Sequence, residues 1–449
     1  MYYPRLSASG ASLAAMLWTL LAVTGQSAES LSERELAELQ AQNRLLQQQV
    51  QQQQQQINEL RERVDHLQPS EHPDRQSPTP ETRPTQGRDG PPRTDSPGFQ
   101  AARAIRVSGE AGLAYFSSTK AGAFPNAEFR IDDAKVFLEA PIWKNVYFFT
   151  GLELASREET ENTIHIGELY ADIEDLFVAA RDRRLSARIG RFNIPFGEEY
   201  QDRSVMANPL ISHSVADVWG IDEGVQVYGT FDRLQFNVAV QNGGSPTRRD
   251  FNQDKSVTVR LSTEPVRSLH LSASAHRTGK LDVKNDLSSE IWFGGEYLGP
   301  LGIPANTRTF QASLLQFDAA WHWAQGHVNA AVGAMRINDD RPAVDDLRRA
   351  RYFSVELVQQ ITPSLYAATR YGEIRVPHGY PVVGLGDYGK FYYASPPTKS
   401  LQRLSLGFGY RFAEPLIWKI EYSWEEGKFI TGESRPSAAT FSTELGLKF

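Results

Sequence analysis

The chain contains no cysteine, and several other features that define common protein classes are also missing. It therefore has no disulfides, no thiolate metal site and no cysteine nucleophile. After residue 28 it has no run of about 20 apolar residues, so no transmembrane helix is expected. It lacks Gly-x-Ser-x-Gly and His-Glu-x-x-His motifs, and a net charge of -7 does not favour a nucleic-acid partner. We predict no enzymatic activity, no cofactor and no metal site.

The C-terminal stretch 441–449 alternates between two kinds of side chain. One face carries mostly apolar residues: Phe441, Thr443, Leu445, Leu447 and Phe449. The other face carries small and charged residues: Ser442, Glu444, Gly446 and Lys448. This two-residue period predicts a β-strand with one apolar side. A last strand that ends on an aromatic residue is typical of outer-membrane β-barrels, in which the apolar side faces lipid.

Fifteen further strands are predicted upstream, which gives sixteen between residues 104 and 449. Connections after even-numbered strands are short, whereas those after odd-numbered strands are mostly longer, above all 193–221, 278–308 and 375–399. Short turns on one rim and long loops on the other are the layout of a bacterial barrel, whose short turns face the periplasm. The predicted fold is an all-β transmembrane barrel of 16 antiparallel strands, preceded by an α-helical coiled coil.

The short turns are predicted from residues that end or bend strands. They include Pro141-Ile142, Asp232-Arg233, Glu264-Pro265 and Ala413-Glu414-Pro415, whereas the connection near 177–183 is expected to be looser. A soluble β-sandwich is the main alternative to the barrel, but its exposed face would be polar. The apolar faces of this chain carry Phe408, Trp418 and Trp424, opposite Arg, Lys and Glu, and sixteen strands enclose an aqueous channel.

Three segments precede the barrel, which is assigned to 101–449. Residues 1–28 have the charge, apolar core and small residues of a signal peptide. Apolar residues repeat every seven positions within 30–68, which predicts a coiled coil. Its seam residues favour a parallel dimer. The proline-rich stretch 69–100 is expected to be a disordered linker.

The most specific motif, Gly190-Arg-Phe-Asn-Ile-Pro-Phe-Gly-Glu-Glu199, leaves the fifth predicted strand. With Glu168-Leu-Tyr-Ala-Asp172 and the terminal Phe449, it resembles the phosphate-selective porin O and P family of bacterial outer-membrane porins. The resemblance covers about 101–449. It implies an outer-membrane porin for passive diffusion of small hydrophilic solutes, assembled as a trimer, in conflict with the dimer that the coil favours. It also implies that 193–221 is a constriction loop folded into the lumen.

Two sets of residues are the candidates for controlling solute passage. The constriction set consists of Pro195, Phe196, Gly197, Glu198, Glu199, Asp202, Arg203 and His213. The basic residues predicted to line the lumen are Lys135, Arg188, Arg260, Arg370, Arg403 and Arg411. Rings of basic residues favour anions. The chain departs from the family, however, because Asp132-Asp133-Ala134-Lys135 replaces an arginine-rich segment and lumen acids are as numerous as bases.

We therefore expect a weak preference for anions of the phosphate type, with a nearly unselective or cation-tolerant pore as the alternative. The expected partners are outer-membrane lipid, small ions or solutes and other copies of the chain, with the coil in the periplasm. A second function remains open: the barrel could anchor the coil as a structural tether of the envelope. A lipid hydrolase is a third reading, but no convincing Ser/His pair supports it.

Overall fold

The computed structural model describes residues 105–155, 164–180, 182–202, 204–215, 217–218, 220–243, 253–282, 309–339, 347–380 and 398–449. The signal peptide, coiled coil and linker predicted for 1–100 lie outside the described residues. Within those residues, no helix is long and apolar enough to span a membrane.

Sixteen long strands and one two-residue strand make up the described sheet. The strands are β1 (Arg106–Ser118), β2 (Glu128–Trp143), β3 (Val146–Ala155), β4 (His165–Ala180), β5 (Arg183–Asn193), β6 (Ile221–Phe231), β7 (Leu234–Gln241), β8 (Ser256–Val266), β9 (Leu269–Arg277), β10 (Leu281–Asp282), β11 (Thr309–Trp323), β12 (Gly326–Asp339), β13 (Leu347–Gln360), β14 (Leu365–Tyr380), β15 (Thr398–Ala413), β16 (Leu416–Phe429) and β17 (Ala438–Lys448). The short β10 pairs with β11.

Each long strand pairs antiparallel with its neighbours along the chain, and the sheet closes on itself. The closing pair is β1 with β17, in register from Glu110 opposite Lys448 to Ser118 opposite Thr440. Closure leaves none of the long strands as an open edge, so their backbone polar groups are satisfied without water, as lipid requires. The predicted 16-stranded antiparallel barrel is confirmed.

Side chains alternate between two environments along each strand. On β15 and β16 the outward positions are exposed aromatic and aliphatic residues, such as Phe408 at 56% and Trp424 at 44% exposure. The intervening positions, including Lys419 and Glu421 at 1%, face the interior and are covered. In a soluble protein the apolar side of a sheet is buried, whereas in this sheet the apolar side is the accessible one.

Some predicted turns are displaced because proline lies in the strand instead of ending it. β2 continues through Pro141 to Trp143, with a register shift between Pro141 and Trp143, and the turn lies at Lys144-Asn145. β8 likewise continues through Pro265, with a register shift at that point. A bulge tolerates proline because it needs no ladder N–H at that position. The connection predicted to be loose near 177–183 is a tight turn between Ala180 and Arg183.

Candidate functional site

The segment 194–220, between β5 and β6, lies inside the barrel and is called the lumen loop. Its base is closed by a hydrogen bond of 2.8 Å from the N–H of Ile194 to the carbonyl of Gly220. From there it contacts inward-facing side chains of β8, β9 and β11, and then those of β14, β15 and β16. Because β14 lies eight positions from β5 around the sheet, the loop crosses the lumen.

The predicted Pro-Phe-Gly motif begins the crossing. Pro195 cannot continue the β5 ladder, and Phe196 is 1% exposed. Gly197 has a φ of 69°, in the region that glycine adopts at no steric cost. Its N–H donates to the hydroxyl of Ser274 at 3.0 Å, and a Cβ at this position would lie 2.5 Å from the amide nitrogen of Gln316. A larger residue would therefore strain the backbone here and displace the amide of Gln316.

The next residue, Glu198, binds two basic groups of the wall. Its carboxylate lies 2.9 Å from a guanidinium nitrogen of Arg260 and 3.3 Å from Nε2 of His270. Burial opposes ionisation of this carboxyl, but the hydrogen bond from His270 and the charge of Arg260 outweigh it and hold the pKa of Glu198 below its usual range. The ring of Tyr200 lies beneath the same Arg260 guanidinium, at 5.4 Å.

An internal contact braces the two halves of the lumen loop. The carboxylate of Glu199 accepts hydrogen bonds from the N–H and the hydroxyl of Ser214, at 2.7 and 2.6 Å. Glu199 begins a single 3-10 turn, Glu199–Asp202, whereas Ser214 lies on the returning half of the loop. The loop is therefore a folded unit whose two halves hold each other.

Two neighbouring inward positions of β16 hold the far end of the loop. The ammonium of Lys419 donates to the carbonyls of Val205, Asn208 and Leu210, at 2.9, 3.4 and 3.1 Å. It also forms an ion pair of 2.6 Å with Glu444. The carboxylate of Glu421 accepts the N–H groups of Ile211 and Ser212, at 2.6 and 2.7 Å, and the hydroxyl of Ser212.

Two arginines of the adjacent strands add to this attachment. Arg370 donates to the carbonyl of Ser212 and to the side-chain oxygen of Asn208, and also pairs with Glu356. Arg403 donates to the carbonyl of His213 at 3.1 Å and pairs with Glu425 at 2.8 Å. We call the inward face of β13–β17 that carries these groups the covered wall, because the loop removes its charges from water.

Apolar contacts reinforce the attachment. Leu210 is fully buried against Val358, Tyr366, Ala368 and Ile417. Ile211, at 1% exposure, packs with a cluster at the long-loop end of β1 that includes Ala114 and Phe116. Burying a leucine or isoleucine side chain contributes about 1.5–3 kcal/mol, so these two residues add to the stabilisation that the hydrogen bonds give the docked loop.

The inward face of β2–β5, called the facing wall, carries more accessible charges. Lys135 lies 3.0 Å from Asp133 and 3.9 Å from Glu153, and Nε2 of His165 lies 2.6 Å from Glu153. These side chains keep 14–34% of their surface exposed. The pairing of β1 with β2 shifts register at Asp132, which forms a bulge next to Asp133 and is fully buried.

A second charged group of the facing wall is built around Arg188. Its guanidinium pairs with Asp172 at 2.8 Å and lies 3.9 Å above the ring of Tyr170. The hydroxyl of Tyr228 donates to the same carboxylate at 2.5 Å. The aromatic face and the carboxylate fix the orientation of Arg188, which keeps 23% of its side chain exposed.

The predicted lumen bases thus fall into two groups, those that contact the lumen loop and those that lie on the facing wall. Arg370 and Arg403 belong to the covered wall, and Arg411 donates to the carbonyl of Met206 in the lumen loop at 3.4 Å. Lys135 and Arg188 belong to the facing wall, whereas Arg260 holds the start of the loop. Of the constriction set, His213 lies 3.8 Å from Asp217, Asp202 ends the 3-10 turn, and Arg203 lies outside the described residues.

Sequence reasoning did not single out Lys419, Glu421 or Asn208 as site residues. Alternation places Lys419 and Glu421 inward, but it carries no information about a loop more than 200 positions earlier in the chain. Among the described residues, no group of three or more His, Asp or Glu side chains is arranged to hold a metal ion.

Comparison with known proteins gives the fold class. Neither a protein-family profile nor a curated protein sequence matches the chain. Among solved structures, the outer membrane channel DcaP of Acinetobacter baumannii is similar over 77% of this chain and 97% of its own, with a TM-score of 0.51 and 12% identity. A loop L8 deletion mutant of OmpT, an outer membrane protein of Vibrio cholerae, is similar over 77% and 99%, with a TM-score of 0.50 and 9% identity. At these identities the likeness establishes the barrel fold, and the phosphate-selective family remains a prediction.

Proposed function

We propose that the chain is an outer-membrane porin through which small hydrophilic solutes diffuse passively, and that the lumen loop sets the size of the passage. The observation that carries this proposal is the loop itself, which crosses a barrel of sixteen strands and is held on the opposite wall. A barrel of this size is wider than its own side chains can fill. An inserted loop narrows it, and the proposed passage runs beside the facing wall, whose charged side chains stay partly exposed.

The charges along this passage favour weak selectivity. Each accessible base of the facing wall has a carboxylate partner, as in Lys135 with Asp133 and Arg188 with Asp172. Opposite charges in contact nearly cancel at the distance of a passing ion. We therefore propose small solutes and ions as the permeants, with at most a weak preference for anions of the phosphate type.

Two further elements of the proposal concern assembly and placement. We propose a homo-oligomer, with a trimer as the expected state, in the outer membrane. The coil predicted for 30–68 would then lie in the periplasm. Mass measurement of the full chain in detergent tests the copy number.

Planar-bilayer recording of the purified full chain tests the function directly. We expect discrete conductance steps and, in a KCl gradient, a reversal potential close to zero with a small shift towards anions. Swelling of proteoliposomes should show uptake of small neutral sugars with a size limit. A chain that inserts without conductance steps would contradict the proposal, and a strong cation preference would remove its anion component alone.

A further inference from the structure

Five arginines lie on the outward face of the barrel, near the rim that carries the long loops. They are exposed and occupy the long-loop ends of β9, β12, β13 and β14: Arg277, Arg336, Arg349, Arg351 and Arg375. We call them the arginine belt. Outward positions of a membrane barrel contact lipid, where exposed charges are costly unless they lie at the interface.

The belt is continuous across the sheet. Arg336 is directly opposite Arg349, and Arg351 is directly opposite Arg375. Ser313 of β11 pairs with Arg277 on one side and with Arg336 on the other. Like charges directly opposite on neighbouring strands repel each other, so this arrangement calls for an anion to compensate it.

The described protein supplies little of that compensation. Glu373 pairs with Arg375, whose side chain is nevertheless 70% exposed. Arg336, Arg349 and Arg351 form no ion pair with any described residue. Within the described part of the chain, these three adjacent and exposed guanidinium groups therefore lack a compensating carboxylate.

The height of the belt places it at the membrane surface. Below it the outward positions are apolar, including Leu315 at 47%, Phe317 at 53% and Val332 at 54% exposure. Trp321 and Trp323 mark the other end of this apolar band, near the short turns. The stretch Ser313–Trp323 rises roughly 25 Å along the barrel axis, at about 3.3 Å per residue and a tilt of about 40°, which matches the apolar band of outer-membrane barrels.

The belt is confined to one side of the barrel. At the long-loop ends of β17 and β2 the outward positions are Phe441 and Phe129, and on β16 Trp424 is followed by one acid and one base, Glu426 and Lys428, without a cluster of arginines. Aromatic residues at the interface anchor a barrel in any lipid, whereas a cluster of guanidinium groups selects anions. The difference between the two sides indicates a specific ligand and not a general preference for the interface.

We propose that the arginine belt binds the phosphate groups of a phosphorylated glycolipid in the outer leaflet. Arginine binds phosphate through two parallel hydrogen bonds, and belt residues on adjacent strands can hold two phosphates of one headgroup. The acyl chains of the same lipid would cover the apolar band below. This inference rests on the proposed outer-membrane location, with the long loops facing outward.

Native mass spectrometry of the purified full chain with diphosphoryl lipid A, monophosphoryl lipid A and phosphatidylcholine tests the proposal. We expect the affinity to decrease in that order. The triple variant Arg336→Gln, Arg349→Gln, Arg351→Gln should bind the diphosphoryl lipid about tenfold more weakly or worse. The control Lys144→Gln, Arg233→Gln, Arg267→Gln makes the same charge change in exposed turns at the other rim and should bind as the unmodified chain does.

Equal affinity of the unmodified chain and the belt variant for the diphosphoryl lipid would overturn the inference. So would an equal loss of affinity in the control variant, or equal affinity for lipids with two, one and no glycolipid phosphates. If the glutamine variant does not fold, the corresponding lysine variant keeps the charge and should bind with intermediate affinity, because lysine lacks the two-pronged donor. Conductance separates this inference from the proposed function. The belt variant should conduct normally, and lipid binding by a chain that does not conduct would refute the pore alone.

Discussion

The covered wall and the facing wall carry the same kinds of residue but use them differently. On the covered wall, Lys419 and Glu444 have side chains 1% and 0% exposed, and their partners include the backbone of the lumen loop. On the facing wall, Lys135 and Arg188 are 24% and 23% exposed and are paired with carboxylates of the wall itself. An inward basic residue can therefore be buried beneath the loop or stay partly exposed on the facing wall, and the contact with the loop decides which.

The largest expected effect is on the covered wall, with Lys419→Met. This change leaves Glu444 buried without its counter-ion and removes the donor to three loop carbonyls, and we expect a loss of about 3–5 kcal/mol in folding stability. The lumen loop should detach in part, so single-channel conductance should rise. Thermal unfolding in detergent and planar-bilayer recording measure the two consequences.

The double variant Lys419→Met, Glu444→Gln separates those consequences. Without the buried charge the barrel should recover most of its melting temperature, since replacing both partners of a buried pair is far less costly than removing one. The loop carbonyls still lack their donor, so the conductance should stay high. Unchanged conductance in both variants would show that the loop is not held by this lysine.

A smaller effect is expected for Gly409→Ala, also on the covered wall. A Cβ at this position would lie 2.2 Å from the ring of Tyr366, whose hydroxyl donates to the carbonyl of Pro209 at 2.9 Å. Displacing the ring should cost about 1–3 kcal/mol and raise the conductance. Gly151→Ala, near the facing wall, is the control because its Cβ would meet Phe137 at an ordinary 3.5 Å. Similar melting temperatures for the two variants would contradict the packing argument.

The start of the lumen loop should respond to acid through Glu198. Its pKa is lowered in the folded chain, so its ionic contacts are fully present above the ordinary pKa of glutamate and are lost as the pH falls through the lowered value. We expect Glu198→Gln to weaken the attachment by about 1 kcal/mol between about pH 5 and pH 8. Recorded against pH, the conductances of variant and unmodified chain should converge on acidification. A difference in conductance that grows on acidification would contradict a lowered pKa of Glu198.

The smallest effect is expected on the facing wall, with Lys135→Gln. One accessible positive charge is removed without any contact to the lumen loop, so ion preference should change while conductance does not. The reversal potential should shift towards cations, by less than about fivefold in permeability ratio, since a charge pair at 4 Å in water is worth about 1 kcal/mol. Lys448→Gln, at the short-turn rim, is the matched control. An equal shift in the control would mean that the facing wall does not line the passage.

The sequence predicts the barrel well because strand alternation is a local signal. Strands such as 234–242 and 309–321 differ from the observed Leu234–Gln241 and Thr309–Trp323 by only one or two residues. Turns containing Pro141 and Pro265 are misplaced, since a bulge can hold a proline inside a strand. The register with the neighbouring strand decides whether the proline lies in a turn or in a bulge. A short window of sequence does not predict that register.

The site is predicted less completely for the same reason. Pro195 and Gly197 have local roles that the motif makes visible, and the connection between β5 and β6 begins and ends within one residue of the predicted connection, 193–221. The partners of Glu421 include the backbone N–H groups of Ile211 and Ser212, and a backbone N–H is present whatever the residue type. An inward arginine therefore has the same sequence pattern whether it contacts the loop, as Arg403 does, or stays partly exposed on the facing wall, as Arg188 does.

The absence of native cysteine allows a direct test of the crossing. A Cβ at Gly446 would lie 2.7 Å from a methyl carbon of Val205, so the Cβ atoms of Val205→Cys and Gly446→Cys would be close enough for a disulfide. The variant pair Val205→Cys with Gly446→Cys should cross-link on oxidation, and Val205→Cys with the outward-facing Leu445→Cys should not. A shift in electrophoretic mobility for the first pair alone is the predicted result. No cross-link in the first pair, in a folded barrel, would contradict a lumen loop attached to the opposite wall.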